Sequence, residues 1–469
     1  MGRKRSKEVI VEGVTFSGIA DRGKAVGRDE EGKVYFATGA VPGDVATILR
    51  LKKRKGVYQA KVREVTTPSP HRVEPFCEHF GMCGGCKWQN LDYAKQLTEK
   101  QRVVSDAMRR IGHIDTEVQT ILGGEQQTFY RNKVEYSFSN KRWLTDEEIK
   151  SDAKIPQSPA VGFHSPGAFD RVVDIQKCYL QHETSNRIRN HLREVAHAEG
   201  WKFYDAKTHE GFLRNIYLRN NRKGQWMLTV CFNHKKNDLN KAVLDNLLEN
   251  FPEISSLYYV INQKHNDSIA DQEAVHYSGD LHLEESLDHV SFYIGPKSFF
   301  QTNTYQAEVM YQQVAKLADL KGDEVVYDLY TGIGSIGLYL AEKVGKIVGI
   351  EAIPEAIEDA KLNMAKNEIE NCVFYAGDVK EILSETFWAE HGRPDVLITD
   401  PPRAGMHGDV VAMLLQLQSP KIVYVSCNPA TQARDLALLS EMYSVDYLQP
   451  IDMFPHTHHI ENIALLTLK

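Results

Sequence analysis

From about residue 320 onward, short runs rich in β-branched residues alternate with stretches of helical or loop character. In chain order the runs are DEVVYDLY, KIVGIE, NCVFYAGD, PDVLITD and KIVYVSC. Strands that are separated by crossover segments pair in parallel and carry helices on both faces of the sheet. The pattern therefore predicts an α/β unit with a doubly wound parallel sheet over residues 286–469. Ligands of such sheets bind at the carboxyl ends of the strands, so the residues after each run are candidate site residues.

The composition is that of a globular protein that does not span a membrane. A chain of 469 residues predicts two to four domains, and no apolar run approaches the ~18 residues of a membrane helix. The basic N-terminus has no apolar segment behind it, so we expect no secretory signal. Seven cysteines, an odd number, favour reduced thiols in the cytoplasm. Cys231 and Cys372 lie in strand-like runs, where we expect them to be buried and inert.

The N-terminal segment carries a different charge from the rest of the chain. Residues 1–65 contain 15 Lys and Arg against 8 Asp and Glu, although the whole chain has a net charge of −7. Short strands between Gly and Asp turns predict a small five-stranded barrel of OB-like type over residues 1–66, a fold that often binds RNA. The basic run RLKKRK at 50–55 fits either a solvated hairpin edge or a phosphate contact.

A proline-rich linker at 66–76 leads into a central α+β domain over residues 67–285. Residues 91–112 have helical spacing and close on a glycine, and we expect this helix to pack on the C-terminal domain. The charged stretch at 141–160 is interpreted as an exposed hairpin extension or loop.

A glycine turn follows the strand EVVYDLY and opens a helix, in the sequence TGIGSIGLYLAEKV. Gly332, Gly334 and Gly337 satisfy G-x-G-x-x-G, and Glu351 follows about 19 residues after the first glycine. The loop therefore fits a dinucleotide such as NAD, and it also fits S-adenosylmethionine.

Asp328, which precedes Gly332 by four positions, favours S-adenosylmethionine. A carboxylate at this strand end repels a pyrophosphate, whereas S-adenosylmethionine carries a sulfonium and an ammonium group. We expect Asp328 to face the methionine end of the donor and Glu351 to accept the ribose hydroxyls. Asp378, in the sequence AGD, is placed to reach the adenine amino group.

Three reactive side chains follow neighbouring strands. Asp400 begins DPPR, Cys427 follows the run IVYVS, and Glu461 starts a final strand in the tail. A thiolate that adds to carbon 6 of uracil gives carbon 5 carbanion character, so that carbon 5 can accept a methyl group. A base must then remove the carbon 5 proton, and Glu461 is the candidate. Asp400, beside the donor, is expected to orient the ring.

A second set of cysteines has the spacing of a metal site. Cys77, Cys83 and Cys86 form C-x5-C-x2-C, and Cys178 is a candidate fourth ligand. Thiols in a reduced compartment favour metal over disulfides. Zinc remains an alternative, but three clustered cysteines with one remote cysteine suit an iron-sulfur cubane better.

The motif YRNK at 130–133 combines an aromatic ring with basic and amide groups. Arg131, Asn132 and Lys133 are candidates to hydrogen-bond an unpaired base, although a plain strand terminus fits the motif equally well. A uracil inside a duplex cannot meet Cys427, so we expect a flipped nucleotide in a refolded loop.

Together these motifs resemble one family, the RNA uracil-5 methyltransferases with an N-terminal TRAM domain, best known as 23S ribosomal RNA enzymes. The resemblance rests on the barrel, the cysteine cluster and the sequences FYRNKVEYSF, SFFQTN, DLYTGIGSIGL, DPPR, SCNP and HIE. It implies a Rossmann-like methyltransferase domain, Cys427 as nucleophile, Glu461 as base and Asp400 in the uracil pocket. It also implies a [4Fe-4S] cluster on the four cysteines and a donor site lined by Gln301, Tyr330, Glu351 and Asp378. The 141–160 extension and Asn462 depart from the family pattern.

The function predicted from the sequence is methylation of uracil carbon 5 in RNA by a monomer, with 23S ribosomal RNA as the favoured target. A transfer RNA target is the alternative within the same chemistry. Two other classes remain open: an NAD-linked oxidoreductase with an iron-sulfur centre, favoured by the glycine loop, and a non-catalytic RNA-binding assembly factor. The second of these needs no thiol at position 427.

Overall fold

The structure, a computed structural model, describes residues 9–151, 155 and 158–469. It contains a closed barrel, two seven-stranded sheets and a two-stranded hairpin. Among the described residues, no helix has the length and apolar character needed to cross a membrane. Four of the basic residues that precede the barrel belong to residues 1–8, outside the described part of the chain.

The predicted five-stranded barrel is confirmed. Its strands pair in the order β1-β2-β3-β5-β4, and alternate side chains such as Phe16 and Tyr35 fill the interior. The basic run at 50–55 ends β4, where Arg50 and Lys53 lie 4.9 and 5.1 Å from the ring of Tyr58. The strands are β1 Val9–Ile19, β2 Ala25–Arg28, β3 Val34–Thr38, β4 Val45–Arg54 and β5 Val57–Thr67.

The central region is a mixed sheet in the order β12-β11-β10-β9-β6-β7-β8. All of its neighbouring strands are antiparallel except β10 and β11. The strands are β6 Lys133–Ser139, β7 Ala160–His164, β8 Val172–Asp174, β9 Leu213–Asn220, β10 Trp226–Phe232, β11 Ile254–Ile261 and β12 Val275–Gly279. The helices are α1 Tyr93–Ala107, α2 Asp146–Lys150, α3 Glu183–Ala198 and α4 Asn237–Asn250. Cys231 is buried in β10.

The stretch at 141–160 contains a short helix, so the expected hairpin or loop is wrong for α2. Thr145 and Glu148 form a capping box in which each side chain accepts a hydrogen bond from the other residue's backbone N–H, and Arg142 adds an ion pair to Glu148. Such reciprocal caps satisfy the free amides of a first helical turn. Residues 152–154, 156 and 157 of the stretch lie outside the described residues.

Helix α1 continues as a π-helical turn, Met108–Gly112, and ends where His113 takes a left-handed conformation. Val104 and Met108 belong to the same apolar cluster as the C-terminal sheet. Lys100 is also buried, and its ammonium donates a hydrogen bond to Asp452 at 2.5 Å, which offsets the cost of burying the charge. The helix is thus attached to the C-terminal sheet by apolar packing and by one buried ion pair.

The C-terminal region contains the second seven-stranded sheet, in the order β17-β16-β15-β18-β19-β21-β20, with the hairpin β13–β14 beside it. The strands are β13 Leu283–Leu287, β14 Val290–Ile294, β15 Val325–Leu329, β16 Lys346–Glu351, β17 Cys372–Ala376, β18 Val396–Thr399, β19 Lys421–Ser426, β20 Tyr443–Ile451 and β21 Glu461–Leu468. The helices are α5 Thr304–Ala318, α6 Ser335–Leu340, α7 Pro354–Lys366, α8 Val379–Ile382, α9 Glu385–His391, α10 Gly408–Leu417 and α11 Pro429–Leu439.

The predicted parallel sheet is confirmed for β15 to β19. The tail adds β21, which runs antiparallel between β19 and β20. This insertion matters for the site, since an antiparallel strand begins at the edge where its parallel neighbours end. Cys372 is buried at the start of β17, as expected.

Candidate active site

The three candidate catalytic residues meet at the carboxyl edge of the C-terminal sheet. Ser426 pairs with Asn462 in the antiparallel ladder between β19 and β21. The next residue after Ser426, Cys427, and the residue before Asn462, Glu461, therefore lie at the same end of the two strands, and the charge of Glu461 raises the pKa of Cys427. On the other side of β19 lies β18, and Asp400 follows it. One thiol and two carboxyl groups therefore share this edge.

The electrostatics of the cluster favour protonated groups while no cation is present. Burial, reinforced by the negative charges of Glu461 and Asp400, raises the pKa of the Cys427 thiol to about 11, and Arg403 opposes the rise. Burial also raises the pKa of Asp400 to about 7, with a contribution from Asp328. The pKa of Glu461 is raised well above its ordinary value by burial and by Asp400. A positive charge placed among these groups would favour their ionised forms.

Arg403 belongs to this cluster, and our reading of the sequence gave it no role. It is exposed, and its charge lowers the pKa values of both Cys427 and Glu461. The carbonyl of Arg403 accepts hydrogen bonds from Asn428 Nδ2 at 3.0 Å and Thr431 Oγ1 at 3.3 Å. These bonds tie the loop after β18 to the start of α11. The signal available in the sequence was the basic residue of DPPR.

The glycine loop has the geometry expected of a tight turn between β15 and α6. Gly332 and Gly334 have φ values of 59° and 79°, and Gly334 is the N-cap of α6. Tyr330 also has a positive φ, 63°, which is uncommon for a bulky residue and marks a strained backbone. The loop therefore turns its backbone toward the strand edge immediately beside Asp400, which follows the neighbouring strand β18.

Asp328, the residue expected to face the methionine end of the donor, lies beneath the glycine loop. This residue is 1% exposed, and one carboxylate oxygen accepts from Thr331 Oγ1 at 2.5 Å and from the Gly337 N–H at 3.0 Å. Burial raises its pKa to about 6. Asp328 thus supports the loop from beneath and does not present its carboxylate on the open face, where a donor would lie.

Glu351 and Asp378 follow the next two strands of the sheet. Glu351 accepts from the Gly332 N–H at 3.1 Å and from the Ile353 N–H at 3.0 Å, so its carboxylate is held against the glycine loop. Asp378 is the N-cap of α8, accepts from the Lys380 N–H at 3.1 Å and is exposed. Both carboxylates thus lie at the same edge as the loop.

Gln301 lies in the segment between β14 and α5, is 9% exposed, and its carbonyl accepts from Asn132 Nδ2 at 2.9 Å. Our reading of the sequence missed its neighbour Phe299, whose side chain is 69% exposed. A large exposed ring is unusual in a folded chain and is a candidate stacking surface. The two consecutive phenylalanines of SFFQTN were the available signal, because one can be buried while the other faces outward.

Asn132, a candidate RNA contact, uses its amide nitrogen within the protein. It is 6% exposed, and its Nδ2 donates both to the Gln301 carbonyl and to Thr304 Oγ1, each at 2.9 Å. It therefore joins the central sheet to the start of α5, as the strand-terminus interpretation predicts.

The two basic neighbours of Asn132 differ from each other. Lys133 begins β6, and burial together with Arg219 lowers its pKa to about 8. The Arg131 guanidinium lies 5.6 Å from the ring centroid of Phe454, and its Nε donates to the Lys133 carbonyl at 2.8 Å. Arg131 is only partly buried, so of the three residues it is the one best placed to meet a ligand.

The structure gathers the second set of cysteines around one cavity of about 30 Å³, lined by Cys77, Cys83, Cys86 and Cys178 among apolar residues. Burial raises the pKa values of Cys83 and Cys86 to about 12. A space of this size admits about one or two water molecules, so an occupant has to bond the sulfur atoms directly.

The four thiols form the ligand set of a thiolate-bound inorganic centre, either a zinc ion or an iron-sulfur cluster. Four thiolates on one zinc ion lie about 3.8 Å apart, from a Zn–S bond of about 2.3 Å. Among the described residues, no group of three or more Cys, His, Asp or Glu side chains is placed to hold a metal ion. Four thiols around one cavity are a ligand set that either a zinc ion or an iron-sulfur cluster can use.

Comparisons with known proteins agree with this geometry. A family model described as tRNA (uracil-5-)-methyltransferase matches residues 205–469. A protein of Bacteroides thetaiotaomicron named as an uncharacterized RNA methyltransferase is 49% identical over 456 residues, covering 96% of this chain and 100% of that protein. A protein of Porphyromonas gingivalis with the same name is 47% identical, covering 96% and 98%.

A solved structure is similar over almost the whole chain. The crystal structure of Pyrococcus abyssi tRNA (uracil-54, C5)-methyltransferase in complex with S-adenosyl-L-homocysteine has a TM-score of 0.75 and 28% sequence identity. The match covers 97% of this chain and 100% of that one. The similarity therefore extends through the barrel, the central sheet and the C-terminal sheet.

Proposed function

The chain belongs to the tRNA (uracil-5-)-methyltransferase family, and from that premise we propose how its own residues methylate carbon 5 of a uridine in RNA. Membership makes it an RNA uracil-5 methyltransferase that uses S-adenosylmethionine. The oxidoreductase alternative is thereby excluded. The observation that best supports the mechanism below is the pairing of Ser426 with Asn462, which brings the adjoining residues Cys427 and Glu461 to the same end of β19 and β21.

Cys427 acts as the nucleophile. Its sulfur forms a bond to carbon 6 of the uracil, and the electrons of the carbon 5–carbon 6 double bond move toward oxygen 4 to give an enolate. Carbon 5 then takes the methyl group from the sulfonium of the donor, which leaves as a neutral thioether. Asp400 orients the ring beside Cys427, and the exposed ring of Phe299 offers a surface on which a flipped base can stack.

Glu461 removes the carbon 5 proton. The electrons of that C–H bond re-form the double bond, and the carbon–sulfur bond breaks to release the Cys427 thiolate. Glu461 must be ionised to accept this proton. Its raised pKa and that of Asp400 beside it work against ionisation. The positive charge of Arg403 favours the ionised form, because it lowers the pKa of Glu461.

The donor is held at the edge formed by the glycine loop and the following strands. Tyr330, Gly332, Gly334 and Glu351 form one wall, Gln301 and Asp378 contribute from either side, and Asp400 faces the reacting end. Asp328 acts as a positioning residue for the loop. S-adenosylmethionine supplies the electrophilic methyl group; the chain supplies orientation and proton transfer.

The four cysteines around the small cavity hold a [4Fe-4S] cluster. Three cysteines close together in sequence and a remote fourth one around the same cavity support a cluster over zinc. Methylation transfers no electrons, so the cluster has a structural role. Anaerobically purified protein should contain about four irons and four sulfides per chain by chemical analysis, and Cys83→Ala should lose them. One zinc per chain would support the alternative.

Ribosomal RNA of the 23S type is the proposed target, on the basis of the barrel combined with the cysteine set. The Pyrococcus structure, whose name specifies uracil-54 of a tRNA, favours transfer RNA as the second candidate. Sequencing of 5-methyluridine in both RNA classes from a deletion strain decides between them, because only the true target loses its modification. Residues 1–66, 67–285 and 286–469 are the proposed RNA-binding, central and catalytic units of a cytoplasmic monomer.

The experiment that tests the mechanism uses RNA carrying 5-fluorouridine at the mapped position. Fluorine at carbon 5 cannot leave as a cation, so elimination stops and the protein should remain covalently bound through Cys427. Denaturing gels and peptide mass spectrometry detect this adduct. Glu461→Gln should accumulate the same adduct on ordinary RNA with the donor present. If the wild-type protein forms no adduct, the covalent mechanism is wrong, and if Cys427→Ala retains every cellular role, the assembly-factor alternative holds.

A further inference from the structure

A second cavity lies beside the YRNK motif, outside the catalytic cluster. Its volume is about 470 Å³, within the range of about 300–1,000 Å³ that is typical of ligand sites. Rings, amides and cations share its walls, among them Phe129, Arg131, His182, Asn220 and Tyr305. None of the glycine-loop residues that we assign to the methyl donor lines it. The cavity is therefore separate from the proposed donor site.

Aromatic rings on the cavity wall are accessible to a ligand. Tyr305, in the first turn of α5, is 45% exposed, and its hydroxyl makes no hydrogen bond within the described part of the chain. Phe129 has a positive φ of 55°, and its N–H donates to the Tyr179 carbonyl at 2.7 Å. A bulky residue keeps such a conformation only where its surroundings fix it. Two rings are thus held at one polar cavity.

One cation on the wall has no carboxylate partner. Arg187 pairs with Glu253 at 2.8 Å and Arg222 with Glu308 at 2.7 Å. Arg131 uses only its Nε, in the bond to the Lys133 carbonyl, and among the described residues no acceptor meets its two terminal nitrogens. An unpaired guanidinium in a cavity favours an anionic ligand, above all a phosphate.

The cavity adjoins the proposed reaction site. Asn132 and Thr304 line it, and the same Asn132 side chain is bonded to the Gln301 carbonyl. On another side, the Arg131 guanidinium lies over Phe454. The Phe454 ring is 6.1 Å from that of His459, which precedes Glu461 by two residues.

We propose that this cavity binds a second nucleotide of the RNA substrate, one close in sequence to the methylated uridine. Its base stacks on Tyr305 and Phe129, its phosphate meets Arg131, and amides such as Asn220 read its edge. Unpaired RNA bases are recognised by this combination of ring stacking and polar contacts. The inference rests on the proposed function, because it takes the ligand to be part of the same RNA. A second extruded base would hold the refolded loop open around the target.

The test compares Tyr305→Ala with Tyr305→Phe. The probe is an RNA hairpin carrying the mapped uridine, and its dissociation constant is measured with S-adenosylhomocysteine present, so that no turnover occurs. Loss of the ring should weaken binding about tenfold, from the usual contribution of one stacked base. Tyr305→Phe keeps the ring and should bind like the wild type. Equal affinity of Tyr305→Ala and the wild type overturns the proposal.

A second measurement locates the nucleotide. Single 4-thiouridine substitutions at the two positions on either side of the target are cross-linked by near-ultraviolet light, and the attached peptides are identified by mass spectrometry. One position should cross-link to the peptide containing Tyr305 or Phe129. Cross-links at all four positions to peptides outside the cavity overturn the proposal. Neither measurement depends on the methylation reaction, whereas adduct formation with 5-fluorouridine RNA does. Failure of the cavity proposal can therefore be distinguished from failure of the catalytic proposal.

Discussion

Cys427 and the four cavity cysteines carry the same side chain in opposite surroundings. Cys427 follows β19 at an open strand edge, is partly exposed and has carboxyl groups as neighbours. Cys83 and Cys86 lie in a loop among apolar side chains, in a cavity with room for little beyond a group bonded to sulfur. Both surroundings raise the thiol pKa, to about 11 and about 12 respectively.

The difference lies in what could reverse that rise. At the strand edge, a cationic donor and Arg403 can offset the two carboxylates. The ionisation of Cys427 therefore changes when the donor binds or leaves. In the cavity, burial dominates the pKa of the thiols although Lys87 opposes it at Cys83, and a bound metal centre would stabilise all four thiolates at once. We therefore expect Cys427 to react reversibly and the four cavity cysteines to remain bound to a metal centre.

The two regions are nevertheless connected through one segment of backbone. The N–H groups of Lys87 and Trp88, next to Cys86, both donate to the His456 carbonyl, at 2.8 and 3.1 Å. His456 lies in the loop that joins β20 to Glu461. The cysteine loop thus supports the segment that positions the proposed base.

The largest expected effect separates Cys427 from the other thiols. Cys427→Ala should lower RNA methylation by about 10⁴-fold or more, because no other group can form the covalent bond. Its melting temperature should stay near that of the wild type, since the side chain is partly exposed. Cys372→Ala, in which a strand cysteine is replaced, is the matched control and should keep its activity. Transfer of a labelled methyl group measures both, and comparable activity in the two variants would remove Cys427 from the mechanism.

The next effect tests the connection between the regions. Lys100 and Asp452 form a fully buried pair that fixes α1 to the loop before Glu461. Lys100→Met leaves Asp452 buried without its partner, which costs about 3–5 kcal/mol of unfolding free energy. Denaturant titration measures the loss, and methylation should slow as well. Lys361→Met breaks the surface pair with Glu358 and should cost about 0–1 kcal/mol. Similar losses in both variants would contradict a structural role for the buried pair.

Local patterns in the sequence predict the site at the carboxyl edge of the C-terminal sheet, because each strand run is followed directly by a site residue. Cys427 and Asp400 could be predicted from β-branched runs alone, and the five-stranded barrel from its turns. The neighbours of Glu461 depend on where the last strand inserts into the sheet. Tertiary packing, and no local sequence pattern, places β21 antiparallel between β19 and β20.

The surroundings of two predicted site residues depend on contacts between distant segments. Asn132 fits RNA contact in isolation, but its amide is bound by Gln301 and Thr304, which lie about 170 positions further along the chain. Asp328 looks like a donor contact until the turn geometry brings the Gly337 N–H to its carboxylate. Residue type and spacing suggest which groups carry chemistry, and only the packed fold decides which of them is exposed.

A smaller effect concerns the proton balance at the edge. Asp400 has a pKa raised to about 7, and only its ionised form attracts a sulfonium. Binding of S-adenosylmethionine should therefore tighten, relative to S-adenosylhomocysteine with its neutral sulfur, by about tenfold from pH 6 to pH 8. His458 and His459 have pKa values lowered to about 4 and about 3 and do not titrate in this range. Calorimetry with both ligands measures the ratio, and parallel pH profiles would mean that Asp400 does not face the sulfonium.

The smallest effect isolates Arg403, a cation that lowers the pKa of Cys427. Arg403→Ala should raise that pKa further and slow the alkylation of Cys427 by iodoacetamide about two- to fivefold at pH 8, because an exposed charge acts through water. The difference should shrink in 1 M salt, where the Debye length falls to about 3 Å. Arg109→Ala, at a remote surface pair with Asp106, should leave the rate unchanged. Quantitative mass spectrometry of the Cys427 peptide follows the reaction, and a rate that is insensitive to Arg403 would leave the donor as the only charge able to activate the thiol.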